Sequence, residues 1–169
     1  ARLSPLGRWA ALSPDINQGT SVFDTRGQAP RRDLHPTVLS RGAFSPDDRW
    51  YADGCFDTVT KIETATWQPA LRLARDSASD LPGLAAFAPD GRILAFTPHL
   101  RRIQLADLET GAELATLTAP DVRVLADLFF DGRGRRLGAL TIDGVVQLWD
   151  LDQLRRELGR LSLDWSPAP

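Results

Sequence analysis

A segment of about 43 residues recurs four times along the chain. Each copy begins with an apolar residue and carries an arginine five positions later, with a turn-forming Pro, Asp or Gly between them. A fixed period of this length indicates a repeat architecture, in which each copy is one supersecondary unit stacked on its neighbours. The leading residues are separated by 41, 43 and 43 positions, and they are Leu3, Phe44, Phe87 and Phe130.

Each repeat contains the signals for four short strands. The turn residues between two apolar stretches predict a hairpin, because Pro presets the first turn dihedral and Asp or Gly tolerates the next ones. A third strand is predicted to end 20 or 21 residues after the leading residue, where apolar and polar residues alternate, as in Ile103, Gln104 and Leu105. The predicted third-strand ends are Val22-Phe23-Asp24, Ile62-Glu63-Thr64, Leu105-Ala106-Asp107 and Leu148-Trp149-Asp150.

A fourth apolar stretch follows a turn signal, as in residues 112–117 after Glu109-Thr110-Gly111. Four antiparallel strands per period are typical of a propeller blade. The sequence therefore predicts an all-β protein, a β-propeller built from four-stranded antiparallel blades. The four blades are expected at about residues 1–40, 41–83, 84–125 and 126–150.

The most regular copy ends in Thr141-Ile142-Asp143-Gly144-Val145-Val146-Gln147-Leu148-Trp149-Asp150, which resembles the WD40-repeat family. The other copies lack the Trp-Asp ending, and no copy has the family's Gly-His pair before the first strand. The resemblance is to a divergent bacterial type and covers residues 1 to about 161. It implies a propeller of about seven blades, and the departures imply that apolar packing holds the blades more than the family's polar network does.

The segment after the last repeat has helical rather than strand spacing. Apolar residues at positions 151, 154, 158 and 161 predict a short amphipathic helix over 151–161, with Asp152 as its N-cap and residues 162–169 as a tail. The apolar stripe is expected to pack on the propeller flank; the alternative is a partner-binding helix. The last blade is then left without a fourth strand of its own.

Four blades are few for the family that the repeats resemble, so apolar blade faces and strand edges are expected to be open. Three interpretations follow. The 169 residues are the C-terminal portion of a longer propeller, which the absence of Met and the start at Ala1 also favour; two copies complete one ring; or another protein covers the open faces.

Candidate binding residues lie in the connections between second and third strands, which are expected on one rim of the propeller. Phe56 and His99 occupy this connection in neighbouring repeats, and Arg101 follows His99. Loop position favours a partner-binding surface made of Phe56, His99 and Arg101. Cys55 lies in the same connection, but a catalytic thiol needs a nearby base, and the sequence places neither His35 nor His99 beside it.

Two sets of repeated residues are interpreted as structural. Trp9 and Trp50 share one repeat position and are expected to pack between adjacent blades, with an exposed recognition site as the alternative. The arginines after the turns are expected to be solvated or paired with turn carboxylates such as Asp47 and Asp90, rather than to bind phosphate. These arginines are Arg8, Arg49, Arg92 and Arg135.

Composition excludes several function classes. One cysteine cannot form an internal disulfide, and two histidines 64 positions apart, His35 and His99, give no zinc spacing. A net charge of −2 argues against a nucleic-acid-coating protein, despite the pairs Arg31-Arg32 and Arg101-Arg102. No apolar run is long enough to span a membrane. The compartment stays open, with the cytoplasm slightly favoured.

The sequence therefore favours a non-catalytic protein-protein interaction scaffold without a cofactor. Its partner is expected to be another protein, another domain of the same chain, or a second copy. The alternative is the propeller part of an enzyme, either a regulatory segment of a bacterial kinase-like protein or a relative of quinone-cofactor dehydrogenases. The segment Asp107-Leu108-Glu109-Thr110-Gly111 weakly resembles the blade motif of the latter.

Overall fold

A computed structural model describes residues 1–13, 19–35, 40–76, 81–118, 121 and 123–165. These residues form fifteen strands followed by one helix. The strands are β1 Arg2–Leu3, β2 Trp9–Leu12, β3 Thr20–Asp24, β4 Arg32–His35, β5 Arg41–Phe44, β6 Trp50–Gly54, β7 Thr58–Glu63, β8 Gln68–Ala74, β9 Ala85–Phe87, β10 Ile93–His99, β11 Arg102–Asp107, β12 Glu113–Thr118, β13 Leu125–Phe130, β14 Arg136–Thr141 and β15 Val146–Asp150. The helix is α1, Leu151–Arg160.

The strands form four antiparallel sheets in chain order, which confirms the predicted all-β propeller. Blade 1 is β1-β2-β3-β4, blade 2 is β5-β6-β7-β8, and blade 3 is β9-β10-β11-β12. Blade 4 has three strands among the described residues, β13-β14-β15, and the chain passes directly from β15 into α1. The described residues after Asp150, up to 165, form no fourth strand, as predicted.

The same turn closes the first hairpin of every blade. A backbone N–H bonds to the carbonyl three residues earlier at positions 7, 48, 91 and 134. Three of these positions are glycines with positive φ, and the fourth is Asp48 with φ 57°. Aspartate is one of the few residues that tolerate this conformation. Asp48 also links two blades, since Ser4 Oγ donates to its Oδ2 at 2.5 Å and the Leu6 N–H to its Oδ1 at 3.0 Å.

Each blade has two faces, because successive side chains of a strand point to opposite sides of the sheet. We call the face toward the next blade in chain order the forward face and the opposite one the rear face. The ladder registers place equivalent residues of all four blades on the same face. Three apolar clusters join the forward face of one blade to the rear face of the next. They contain Trp9, Ala11 and Val22 against Phe44, Tyr51 and Ile62; Ala52 and Val59 against Phe87, Leu94 and Phe96; and Ala95, Ile103 and Leu105 against Leu128, Leu137 and Ala139.

The register of blade 2 differs by one residue from the sequence interpretation. Trp50 pairs with Glu63, whereas Trp9, Ile93 and Arg136 pair with the aspartates that end β3, β11 and β15. Glu63 therefore occupies the terminal acidic position that the sequence had assigned to Thr64. Trp50 and Glu63 are 13 positions apart, whereas the equivalent pairs of blades 1, 3 and 4 are 15, 14 and 14 positions apart, and this shifts the third strand of blade 2 by one position.

The C-terminal helix confirms the prediction, but its cap is a different residue. Asp150, not Asp152, is the N-cap: it has extended backbone angles, and its carboxylate accepts the Gln153 N–H at 2.8 Å. Leu151 is buried and Leu154 packs against the cluster between blades 3 and 4. The stripe thus lies on the propeller flank over its first turns, whereas Leu161 is exposed. Residues 166–169 of the predicted tail lie outside the described residues.

Candidate functional site

The predicted rim residues lie on two neighbouring blades. Phe56 is half-buried in the connection between β6 and β7, and His99 is half-buried at the end of β10. Arg101 is exposed in the following turn. The connection in blade 2 and β10 in blade 3 are held together by one side chain that the sequence pattern did not single out, Arg75.

Arg75 is only 6 % exposed and bonds backbone carbonyls from three segments. Its Nη1 donates to the carbonyls of Cys55 at 2.6 Å and Phe56 at 2.7 Å, and its Nε donates to the carbonyl of Thr97 at 2.7 Å. A longer bond of 3.3 Å reaches the carbonyl of Leu81. Burial lowers the pKa of Arg75 from its usual value, and the nearby Cys55 and Asp57 oppose this shift. Arg75 therefore joins the connection between β6 and β7 in blade 2 to β10 in blade 3.

Cys55 does not open onto this rim as the sequence suggested. The side chain is buried, and its Sγ donates to Asp53 Oδ2 over 3.8 Å. Its backbone is equally engaged: the N–H bonds the Thr58 carbonyl, while its own carbonyl accepts from Gly83 and Arg75. The thiol thus points into the blade, and the accessible residues of this connection are the half-buried Phe56 and the exposed Asp57.

A groove of about 630 Å³ lies at the opposite end of the same two blades, where the strand turns contain arginines and aspartates. Lys61 is buried beneath it, donates to the carbonyl of Leu108 at 2.6 Å, and lies 4.4 Å from the centre of the Trp50 ring. Burial lowers the pKa of Lys61, and Arg49 lowers it further, while Asp107 opposes the shift. Trp50 also packs against the cluster between blades 2 and 3, as predicted.

Two of the repeated arginines, Arg8 and Arg49, lie over tryptophan rings rather than against the expected turn carboxylates. Asp47 and Asp90 accept the backbone N–H groups of Arg49 and Arg92, both at 3.0 Å, and so stabilise the turn itself. The guanidinium of Arg49 instead lies over the Trp50 ring and 4.0 Å from the Glu63 carboxylate. Arg8 lies over the buried Trp9 in the same way. This supports the structural interpretation of the repeat arginines.

The segment that resembles a quinone-enzyme motif forms a self-contained turn. Asp107 Oδ1 accepts the N–H groups of Glu109 at 3.1 Å and Thr110 at 2.7 Å, and also the Thr110 hydroxyl at 2.7 Å. Gly111 completes the turn with a φ of 75°. These hydrogen bonds lower the pKa of Asp107. The hydrogen bonds and backbone angles of the turn between β11 and β12 thus explain why Asp, Thr and Gly occur in this segment.

A cavity of about 260 Å³ lies where the first strands of the four blades meet. Arg2 of blade 1 crosses it and contacts both carboxylate oxygens of Asp127 in blade 4 at 2.6 Å, and Arg41 Nη1 donates to the Ala126 carbonyl at 2.8 Å. Tyr51 also lines it, and burial raises the pKa of its phenol well above the usual value, with Asp53 adding to the shift. The boundary between blades 4 and 1, which we call the seam, is thus bridged at its inner end.

The forward face of blade 4 is exposed, unlike the three other forward faces. Its apolar residues are Phe129, Leu140, Val146 and Leu148. Val146 and Leu148 are 51 % and 64 % exposed, whereas the residues in the same positions of blades 1 to 3 are at most 7 % exposed. Those equivalents are Thr20, Val59 and Ile103 for Val146, and Val22, Lys61 and Leu105 for Leu148.

The rear face of blade 1 is also exposed. Leu3 is 67 % exposed, whereas Phe44 and Phe87 in the same position are 8 % exposed. Leu12 is 40 % exposed, and Phe23 is half-buried beneath the guanidinium of Arg31. No apolar cluster joins blade 4 to blade 1 within the described ranges. The two faces at the seam therefore lack the packing that joins the other blades.

Two further findings concern metal ions and membranes, in the part of the chain that the structure describes. No three His, Cys, Asp or Glu residues there are grouped to hold a metal ion. Likewise, none of the described helices has the length and apolar character that crossing a membrane requires. In comparisons with known proteins, the chain matches no family model and no curated protein.

Proposed function

We propose that this protein is a non-catalytic protein-protein interaction scaffold built from divergent WD40-like repeats, and that the forward face of blade 4 is its main contact surface. The observation that carries the proposal is the exposure of Val146 and Leu148 at positions that other blades bury. Contiguous apolar surface on a soluble protein marks contact sites. The proposed partner is another protein, another domain of a longer chain, or a second copy.

The fold supports a rigid docking surface of this kind. Phe129 lies directly over Gly138, since a Cβ at that glycine would lie 2.3 Å from the Phe129 ring. The opposite face of the same sheet is packed on blade 3 through Leu128, Leu137 and Ala139. Blade 4 therefore presents a preformed sheet face, and binding to it requires little ordering of the protein.

The rim residues Phe56, His99 and Arg101 form a second candidate surface. Arg75 bonds the connection that carries Phe56 and the strand that ends at His99, while the three side chains remain partly or fully accessible. A rigid backbone with an accessible aromatic, imidazole and guanidinium suits protein recognition. The two surfaces are on separate parts of the propeller, so one experiment can compare them.

The experiment uses a photoreactive amino acid at position 148 in cells, followed by mass-spectrometric identification of the cross-linked polypeptide. We expect one specific product, which is lost when Val146→Asp is introduced in the same chain. The matched control carries the photoreactive residue at position 161, an exposed leucine outside both blade faces, and yields no such product. Absence of any product from position 148 would contradict the proposal.

A combined Phe56→Ala, His99→Ala and Arg101→Ala variant tests the rim. If it abolishes the product from position 148 as completely as Val146→Asp does, the rim rather than the face of blade 4 is the main contact surface. If the product persists, the rim is dispensable for this contact. Circular dichroism of each purified variant confirms that the fold is retained.

A further inference from the structure

We propose that two copies of this chain pair reciprocally, with the forward face of blade 4 in each copy packed on the rear face of blade 1 in the other. This inference rests on the proposed function, because it names the partner of the same surface. The pair has two-fold symmetry and two equivalent seams. Symmetric closure of this kind leaves neither face open and generates no further assembly.

The first argument is the polarity of blade packing. All three interfaces within the chain join a forward face to a rear face, and no described cluster joins two forward or two rear faces. The chain leaves one forward face and one rear face uncovered, at blades 4 and 1. A second copy presents both a rear face and a forward face. The forward face of blade 4 then meets a rear face, and the rear face of blade 1 meets a forward face, as in the three interfaces within the chain.

The second argument is a reciprocal change in side-chain size at these two faces. The forward face of blade 4 has Phe129 where blades 2 and 3 have Ala43 and Ala86. The rear face of blade 1 is smaller at two positions of its first two strands, whereas in its third strand it carries Phe23 where blades 2 and 3 have Ile62 and Ala106. It has Leu3 in place of Phe44, Phe87 and Phe130, and Ala10 in place of Tyr51, Leu94 and Leu137.

Apolar interfaces tolerate substitution best when the total volume is conserved. A forward face enlarged by an aromatic ring needs more space on the rear face opposite it. Leu3 and Ala10 on the rear face of blade 1 leave room for that ring. At these positions the forward face of blade 4 therefore complements the rear face of blade 1 better than it complements the rear faces of blades 2 and 3.

The third argument concerns the ion pair at the inner end of the seam. Arg2 of blade 1 and Asp127 of blade 4 form it within one chain. Reciprocal pairing places blade 1 of one copy beside blade 4 of the other, so Arg2 of each copy meets Asp127 of its partner. Both side chains are partly exposed, and exposed ion pairs contribute little to stability. Pairing opens this ion pair and also the Arg41–Ala126 hydrogen bond within each chain, and the intermolecular Arg2–Asp127 pair replaces the first of these contacts.

The test is light scattering of the purified protein over a wide concentration range, together with two single variants, Leu148→Arg and Leu3→Glu. Both positions are exposed in the single chain, so both variants are expected to fold. We expect the wild type to have twice the 18.6 kDa mass of one chain and each variant alone to have the mass of one chain. The control, Leu161→Glu, replaces an equally exposed leucine outside the seam and stays dimeric.

Light scattering of a mixture of the two variants is the decisive measurement. One seam of the mixed pair is unmodified, and the other combines the introduced arginine with the introduced glutamate, so the dimer mass should return. A mixture that stays at the mass of one chain would overturn the proposal, as would a dimer that survives Leu3→Glu. If the wild type is a monomer but position 148 still cross-links to a different protein, this inference fails and the proposed function stands.

Discussion

Arg75 gives the sharpest test of how the rim is built. Its guanidinium makes three bonds of 2.6 to 2.7 Å to the carbonyls of Cys55, Phe56 and Thr97. Hydrogen bonds to charged groups contribute about 1.5–3 kcal/mol each. The Cys55 carbonyl keeps the Gly83 N–H at 2.9 Å when the guanidinium is removed, and the cost of burying the charge also disappears.

We therefore expect Arg75→Met to lower the free energy of unfolding by about 3–4 kcal/mol, less than the sum of the bonds. Methionine retains much of the apolar stem, so the loss reports mainly on the carbonyl bonds. Chemical denaturation measures the change. The matched control is Arg72→Met in β8, three residues before Arg75, where the side chain is exposed. Equal effects of the two substitutions, or no loss for Arg75→Met, would refute the assigned role.

Three further predictions concern Tyr51, Gly54 and Asp150. Tyr51 is the single tyrosine, and its phenol is buried with a raised pKa; above about pH 10 only the unfolded state ionises. Stability should therefore fall as pH rises through that range, and phenolate absorbance should appear only with unfolding; a phenolate signal from the folded protein would contradict this. Gly54→Ala places a Cβ 2.1 Å from a backbone carbonyl oxygen and should cost about 2 kcal/mol or more in denaturation experiments, whereas Gly132→Ala, with open space around it, should be nearly neutral; similar losses would refute the close approach. Asp150→Ala should lower thermal stability through a loss of about 1 kcal/mol, and Asp150→Asn should restore most of it; if Asn fails to rescue, the capping bond is not the cause.

The blade order was predictable because its determinants are local. The four hairpin turns depend on residues that adopt positive φ at one fixed position, and glycine or aspartate occupies it in every copy. The candidate rim residues Phe56, His99 and Arg101 were placed on blade connections from the same spacing. Phe56 and Arg101 lie in these connections, whereas His99 is the last residue of β10, and the role of all three in binding remains a prediction.

The parts that could not be predicted depend on contacts between blades. Lys61 occupies a forward-face position where other blades have Val22, Leu105 and Leu148, because the Leu108 carbonyl and the Trp50 ring satisfy its charge. A charged residue at that position breaks the apolar pattern. The pattern therefore indicated Ile62 as the apolar residue of this position, which shifted the predicted register of the third strand by one residue. Arg75 was missed for a similar reason: its carbonyl partners come from separate segments, which no spacing rule links.

The most direct test of the central claim, that blade 4 presents an uncovered face made for another blade, is cross-linking across the seam. Leu3→Cys and Leu148→Cys chains are prepared separately, mixed and treated with a flexible bifunctional maleimide. Cys55 is buried, so the wild type gives the background. The account predicts that the product joining positions 3 and 148 of different copies dominates. Products joining two copies through position 148 alone, or no product above background, would contradict it.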